Sequence, residues 1–512
     1  MDEAEVRQFG SLFSEFLERV VHTSRGTPEG TESLVARLES FFESDPLALP
    51  VVTERFRTFE HATVQVAIDR LLERPGTRHE LLGIAGAGRE HSSLTELLEM
   101  GRRHGAFWVG AVDYAAVPVS VDEERTCVRF GFYLIDDGRR RLAVMLRGGN
   151  PMHGQAASLE VLAPTSEEGR LWLADLRELR ARHNVLRGQV LSFQPSEFEP
   201  GVGPVRFHRR PDLGRDDVVM PPGVLERIER HVVGIAQHRH RLLAEGRHLK
   251  RGVLLYGPPG TGKTHTVRFL SGALSEFTVI LLAGPAIRFV AEACAMARIL
   301  QPSLIVLEDC DLVAQDRSFS PFDNPLLFTV LDEMDGLGSD TDVCFLLTTN
   351  RADLIETALA QRPGRVDLAV EIPLPDADGR RRLLDLYGRG IELTAADVEQ
   401  VVALTAGVPA SFVKEMTRRA TLLAAERGAE ATQAEDVHAA AEELMTAQEH
   451  LTRRLLGTGP SDDDRPAGGE PAVVGAPVGE GDAVVGHGGR GWFAYAPIPP
   501  RRGRYHGGGF DS

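Results

Sequence analysis

The sequence predicts an α/β fold, a parallel sheet flanked by helices, with an α+β N-terminal domain before it and a helical lid and a disordered tail after it. Three observations carry this expectation. From Val218 onward, short and nearly unbroken apolar runs alternate with helical periodicity, the pattern of strands covered on both faces by helices. One such run opens into a turn of glycines and prolines, Gly257 to Thr264, that leads directly into a helical segment. Beyond Gly457 the chain turns to Gly, Pro and acidic residues without periodicity, a composition that buries too little apolar surface to fold.

At 512 residues the chain is too long for one core, and 42% hydrophobic with 26% charged residues is ordinary globular composition. A net charge of −17 argues against a general nucleic-acid binder, which normally shows a basic face. Cys127, Cys294, Cys310 and Cys344 lack metal-ligand spacing and suit a reducing compartment as buried small apolar residues. The acidic start (Asp2, Glu3, Glu5) does not resemble a signal peptide, and no apolar run is long enough to span a membrane, so a cytoplasmic protein is expected. Lys250, Lys263 and Lys414 are the only lysines among 57 Lys and Arg residues. A chain that writes nearly every cation as Arg has kept Lys263, where a compact ammonium must enter a tight loop.

Taken in order, residues 1–105 read as a helical N-terminal region. Val6, Phe9, Leu12, Phe13, Phe16, Leu17, Val20 and Val21 recur at helical spacing, followed by stretches from Leu34 to Phe42 and from Phe56 to Leu72. Residues 106–210 read as β-rich: Tyr114–Val121, Cys127–Asp136 and Leu142–Leu146 as strands, Glu168–Arg182 as a helix and Val185–Phe193 as a further strand. Arg210 to Asp217 reads as a linker. Within 216–376 the expected strands are Gly252–Tyr256, Val279–Leu282, Leu304–Leu307 and Val343–Thr348. The helices between them are Thr264–Leu274, Ile287–Leu300 and Asn324–Met334. Four helical stretches in 377–456 form the lid: Gly379–Arg389, Ala395–Thr405, Ser411–Arg427 and Thr432–Leu456. The tail, 457–512, ends in interleaved Trp492, Phe493, Tyr495, Arg501, Arg502, Arg504, Tyr505 and Phe510, either a docking or single-strand-binding motif or part of a solubilising tail.

The chemistry concentrates in two places. Gly257-Pro258-Pro259-Gly260-Thr261-Gly262-Lys263-Thr264 fits the G-x-x-x-x-G-K-[ST] phosphate loop in its strand-to-helix context. Glycines let backbone N–H groups converge on phosphates, and the next helix adds its positive end. Lys263 then reaches the β- and γ-phosphates of ATP, and the Thr264 hydroxyl coordinates Mg²⁺. Further on, the apolar strand Leu304–Leu307 ends in Glu308-Asp309, an acidic pair of which one carboxylate holds the Mg²⁺ shell and the other polarises the attacking water.

Residues from about 216 to 424 resemble the ATPase module of the AAA family proper. The resemblance lies in Arg251-Gly252-Val253-Leu254-Leu255-Tyr256 before the loop, Leu331 to Leu337, and Thr348-Thr349-Asn350-Arg351-Ala352-Asp353. It is strongest at Arg362-Pro363-Gly364-Arg365-Val366-Asp367 followed by Pro373-Leu374-Pro375-Asp376, the family's second region of homology. The resemblance implies that Asn350 is a sensor of the attacking water or γ-phosphate. It implies that Arg362 and Arg365 are arginine fingers reaching a neighbouring subunit's site, hence a homo-oligomeric ring, usually a hexamer. No family is recognised in residues 1–210.

Two departures from the family stand out. The usual order of the acidic pair is Asp then Glu; the resemblance gives Glu308 the Mg²⁺ shell and Asp309 the water, and Asp309 is one methylene shorter, so relaxed water-polarising geometry or slow turnover is expected. The stretch from Gly284 to Pro302 is several residues short for the family's aromatic pore loop; Phe289-Val290 is the nearest substitute, with burial in a helix the other reading. The chain has no HExxH, the zinc motif of the family's metalloprotease branch. The leading reading is a Mg²⁺-ATP hydrolase that remodels an unidentified protein client held by residues 1–210. The alternatives are a slow ATP-switched assembly protein and, disfavoured by charge, a nucleic-acid motor.

Overall fold

The computed structural model describes residues 32–149, 157–195, 202–311, 330, 332–334, 336, 338, 341–351 and 366–446. The expected helix over Val6 to Val21, most of Asn324–Met334, Arg362, Arg365 and the tail lie outside the described residues.

The first layered unit is an antiparallel sheet covered by helices on both faces. Its elements are α1 (Leu34–Phe42), β1 (Val51–Phe56), α2 (His61–Leu72), β2 (Arg78–Ala85), α3 (Leu94–His104), β3 (Trp108–Gly110) and β4 (Asp113–Pro118). They continue through β5 (Glu124–Asp136), β6 (Arg141–Arg147), β7 (Ala157–Leu162) and α4 (Ser166–Arg182). The strand order is β1-β7-β6-β5-β2-β3, with β4 paired to β5. Tyr133, Ile135, Val144 and Val161 point to α2 and α4, where Ile68 and Trp172 close one core. The alternate residues Phe132, Leu134 and Met145 meet Leu38 of α1 and Leu97 of α3 on the other face. Two covered faces explain why β5 and β6 read as unbroken apolar runs although their pairing is antiparallel.

This corrects the helical reading of residues 1–105, because β1 and β2 are strands within that range. Val51-Val52-Thr53 is β-branched and pairs along β7 from Val51↔Leu162 to Phe56↔Ala157, so Phe56 ends a strand rather than starting α2. A long-range partner overrode a local helical spacing.

The second sheet has the order β14-β10-β13-β12-β11-β8-β9. Its strands β10 (Arg251–Tyr256), β11 (Thr278–Ala283), β12 (Ser303–Glu308), β13 (Val343–Thr349) and β14 (Leu368–Glu371) are parallel neighbours. Helices α5 (Lys263–Ala273) and α6 (Val290–Ile299) connect the strands between them. β8 (Val190–Pro195) lies parallel on β11, and β9 (Val202–His208) returns antiparallel to it. The sheet thus takes its last two strands from residues that composition placed in the β-rich N-terminal portion. Nor is the segment after β9 a free linker, since Arg210 bonds backbone carbonyls at Gly188, Ser271, Leu274 and Phe277.

C-terminal to this sheet, α7 (Ala377–Tyr387), α8 (Ala395–Leu404), α9 (Ala410–Glu426) and α10 (Ala434–Met445) share a core around Leu384, Val401, Phe412, Met416 and Val437. Among the described residues, no helix is long and apolar enough to cross a membrane.

Candidate functional site

The phosphate loop leaves β10 at Gly257 and enters α5 at Lys263. Its three glycines, Gly257, Gly260 and Gly262, have φ of 145°, 76° and 110°, values that L side chains rarely adopt. Space tightens the requirement: a side chain at Gly257 would strike the Ile372 carbonyl, and one at Gly260 the Ser411 hydroxyl. The Ser411 N–H donates to the Gly260 carbonyl at 3.0 Å, so the first turn of α9 rests on the loop. Thr261 closes the turn from within, donating its hydroxyl to the Pro258 carbonyl at 2.9 Å.

The Lys263 ammonium folds back over the loop and donates to the Gly257 and Pro258 carbonyls, both at 2.8 Å. Burial lowers its pKa to about 8, against the opposing pull of Asp309 and Asp311. Glu308, at the end of β12, is pushed up by burial and by Asp309, while a hydrogen bond from the Thr264 hydroxyl and the charge of Arg268 act the other way. A buried carboxylate and a threonine hydroxyl in contact are the oxygen ligands that Mg²⁺ takes alongside phosphates and water.

Asp309 has the left-handed φ of 52°, uncommon for a non-glycine residue. Its N–H donates to the Thr348 hydroxyl at 3.0 Å, and its carboxylate accepts from the Asn350 amide at 3.4 Å. The buried Asp311 then fixes the end of β13, accepting from the Thr349 hydroxyl at 3.0 Å and the Asn350 N–H at 3.1 Å. These contacts follow from register: β12 and β13 are parallel neighbours paired through Leu307↔Leu347, so both strands deliver their polar ends to one edge.

The structure therefore brings together Gly257 to Thr264, Glu308, Asp309 and Asn350. Arg362 and Arg365 lie outside the described residues; the chain re-enters at Val366, and Asp367 pins it to β10, with Gly252 N–H on its carboxylate at 2.8 Å. Sequence reasoning gave no role to Asp311, Thr348 or Ser411. Asp311 sat in view as the third carboxylate after β12, whereas Ser411 carries no local signal of its contact with a loop 150 residues earlier. Phe289 ends a 3-10 turn, Gly284–Phe289, and is buried edge-on against Phe193 of β8 at 6.4 Å between ring centroids. Arg288 covers its ring at 4.7 Å.

Residues 253–374 match the ATPase family associated with various cellular activities (AAA). The proteasome-activating nucleotidase of Methanopyrus kandleri is 30% identical over 297 residues, which cover 54% of this chain and 67% of that protein. The chain belongs to the AAA family. Two further relatives match over a smaller share of their own length. The proteasome-activating nucleotidase of Methanothermobacter thermautotrophicus is 32% identical across 46% of this chain and 60% of its own length. The ATP-dependent zinc metalloprotease FtsH 2 of Sorangium cellulosum is 36% identical across 41% of this chain, but only 37% of its own length is matched. The chain thus spans less than two thirds of either of these two relatives.

Proposed function

We propose that this AAA chain hydrolyses ATP with Mg²⁺, in a ring whose sites are completed by Arg362 and Arg365 of a neighbouring copy, and that it remodels a protein client held by its N-terminal residues. The observation that carries the reading is the meeting of Lys263 and the Thr264–Glu308 pair with Asp309 and Asn350 at one end of the parallel sheet. Mg²⁺ bound through Thr264 and Glu308 supplies charge neutralisation for the phosphates. The loop N–H groups and Lys263 hold the triphosphate, Asp309 accepts a proton from the attacking water, and Asn350 orients that water or the γ-phosphate. An arginine supplied in trans makes turnover depend on assembly. Relatives named proteasome-activating nucleotidases support a protein client.

Asp309→Asn tests the reading: phosphate release falls by about a hundredfold or more while ATP binding is retained. Unchanged release in that variant would sink the assignment. The shorter Asp309 and its 3.4 Å contact with Asn350 favour one second reading, a slow ATP-dependent switch whose output is assembly. Steady-state turnover well below about one per minute, far under common enzyme rates, selects the switch.

A further inference from the structure

Two arginines flanking β8 and β9 spend their guanidinium groups on backbone carbonyls. Arg210 donates to Leu274 O at 3.0 Å, Gly188 O at 2.9 Å, Phe277 O at 2.7 Å and also to Ser271 O. Ser271 lies in the last turn of α5, whose final carbonyls have no partner inside the helix, and Leu274 is the residue that caps it. Arg187 does the same for α6, donating to Ile299 O at 3.1 Å and to Gln301 O, and it also holds Ala181 O at the end of α4 at 3.0 Å. Between them the chain is stitched to β11: Val279 N–H donates to Gln189 O at 2.8 Å, and Gly188 N–H to the Thr278 hydroxyl at 2.9 Å. The same stretch is tied back to the first sheet's helices, with the Thr63 hydroxyl of α2 on Asn184 at 3.2 Å.

We infer that Arg210 is a positioning residue for ATP, acting through α5. The inference rests on the ATPase reading above. Helix α5 begins with Lys263 and Thr264 and has 11 residues, so a rigid rod of about 16 Å separates the phosphate-binding end from Arg210. Anchoring the far end fixes the direction in which the near end presents its N–H groups. The cation also complements the negative pole of a helix whose positive pole receives phosphate. A guanidinium fork reaches several carbonyls at once, whereas a lysine ammonium is a point donor, so Arg210→Lys restores the charge without the full anchor.

The test uses the full chain with Arg210→Gln and Arg210→Lys, and Trp172→Phe as a destabilised control in the first sheet's core. Binding of a fluorescent ATP analogue with Mg²⁺, KM, kcat and the thermal midpoint are measured on each. Arg210→Gln weakens ATP binding and raises KM by about fivefold or more, with kcat changed less than about twofold, and Arg210→Lys falls between it and the parent. Trp172→Phe lowers the midpoint and leaves KM alone. A lowered midpoint with unchanged ATP affinity in the Arg210 variants overturns the inference and leaves only a helix cap. Should Arg210→Gln not fold, Arg210→Lys carries the same comparison. Binding needs no turnover, so these results are read separately from the Asp309→Asn test of hydrolysis.

Discussion

The two large sheets among the described residues each have seven strands and two covered faces, yet they place their polar groups differently. In the antiparallel sheet, several buried polar side chains are answered in place, although Arg147 Nε has no hydrogen-bond partner. Glu160 accepts from the Leu94 N–H at the head of α3 at 2.8 Å. Gln65 joins Asp69, the Tyr133 hydroxyl and the Val128 N–H at 2.8 to 2.9 Å. His61 meets the Val128 carbonyl at 2.9 Å. In the parallel sheet, ionisable groups gather where strands end, and burial displaces Lys263 downward and Glu308 upward from their ordinary pKa values. Burial also displaces His61 downward and Tyr133 upward in the antiparallel unit, so displacement alone marks nothing; what sets the parallel sheet apart is that several displaced groups gather at its strand ends.

The largest expected effect tests the border between the two. Phe289→Ala should cost about 3–5 kcal/mol in denaturant unfolding, because the ring is buried against Phe193. A pore-exposed ring would cost about 0.5 kcal/mol or less, and that outcome would restore a gripping loop at this position. Next, Lys263→Ala should weaken ATP binding by about 2–5 kcal/mol, the usual consequence of truncating a desolvated charged contact, with a far smaller change in stability. Equal losses of stability and affinity would erase the distinction between chemistry and scaffold.

Glu160→Gln then gives the reverse result, a loss of about 1–2 kcal/mol in stability with KM for ATP unchanged. A shifted KM would show that the antiparallel sheet reaches the nucleotide site directly. The smallest effect is in pH. Folding depresses Lys263 to about 8 from an ordinary 10.5, so across that window the unfolded chain holds the extra proton. Stability of the nucleotide-free protein should therefore rise with pH from about 8, while the full cost of the buried charge is present below it. On the proposed reading ATP takes the ammonium form, so affinity should fall as pH rises past about 8, by at most about tenfold per pH unit, and Lys263→Ala should be flat there.

Much of the nucleotide site was legible because its signals are local. Gly257 to Thr264 is one contiguous loop, and β10, β11, β12 and β13 are short apolar runs whose expected bounds differ from the observed ones by no more than about two residues. Glu308 and Asp309 could be read from their place after an apolar strand; the structure sets Thr264 on one and Asn350 on the other. The first sheet was far less legible. β1 and β7 pair across a hundred residues, and either strand alone carries too little periodicity to override a helical spacing nearby.

By itself, the sequence determined the phosphate loop, the acidic pair, Asn350 and the alternation that makes a parallel sheet, since each depends on neighbours a few positions away. Only the tertiary structure decided that β8 and β9 extend that sheet, that Ser411 rests on Gly260, and that Phe289 is sealed against Phe193. Those outcomes depend on which distant segments win the free edge of a sheet or the end of a helix. That competition is settled by burial and by unpaired backbone groups seeking partners, and neither is written in any single stretch of chain.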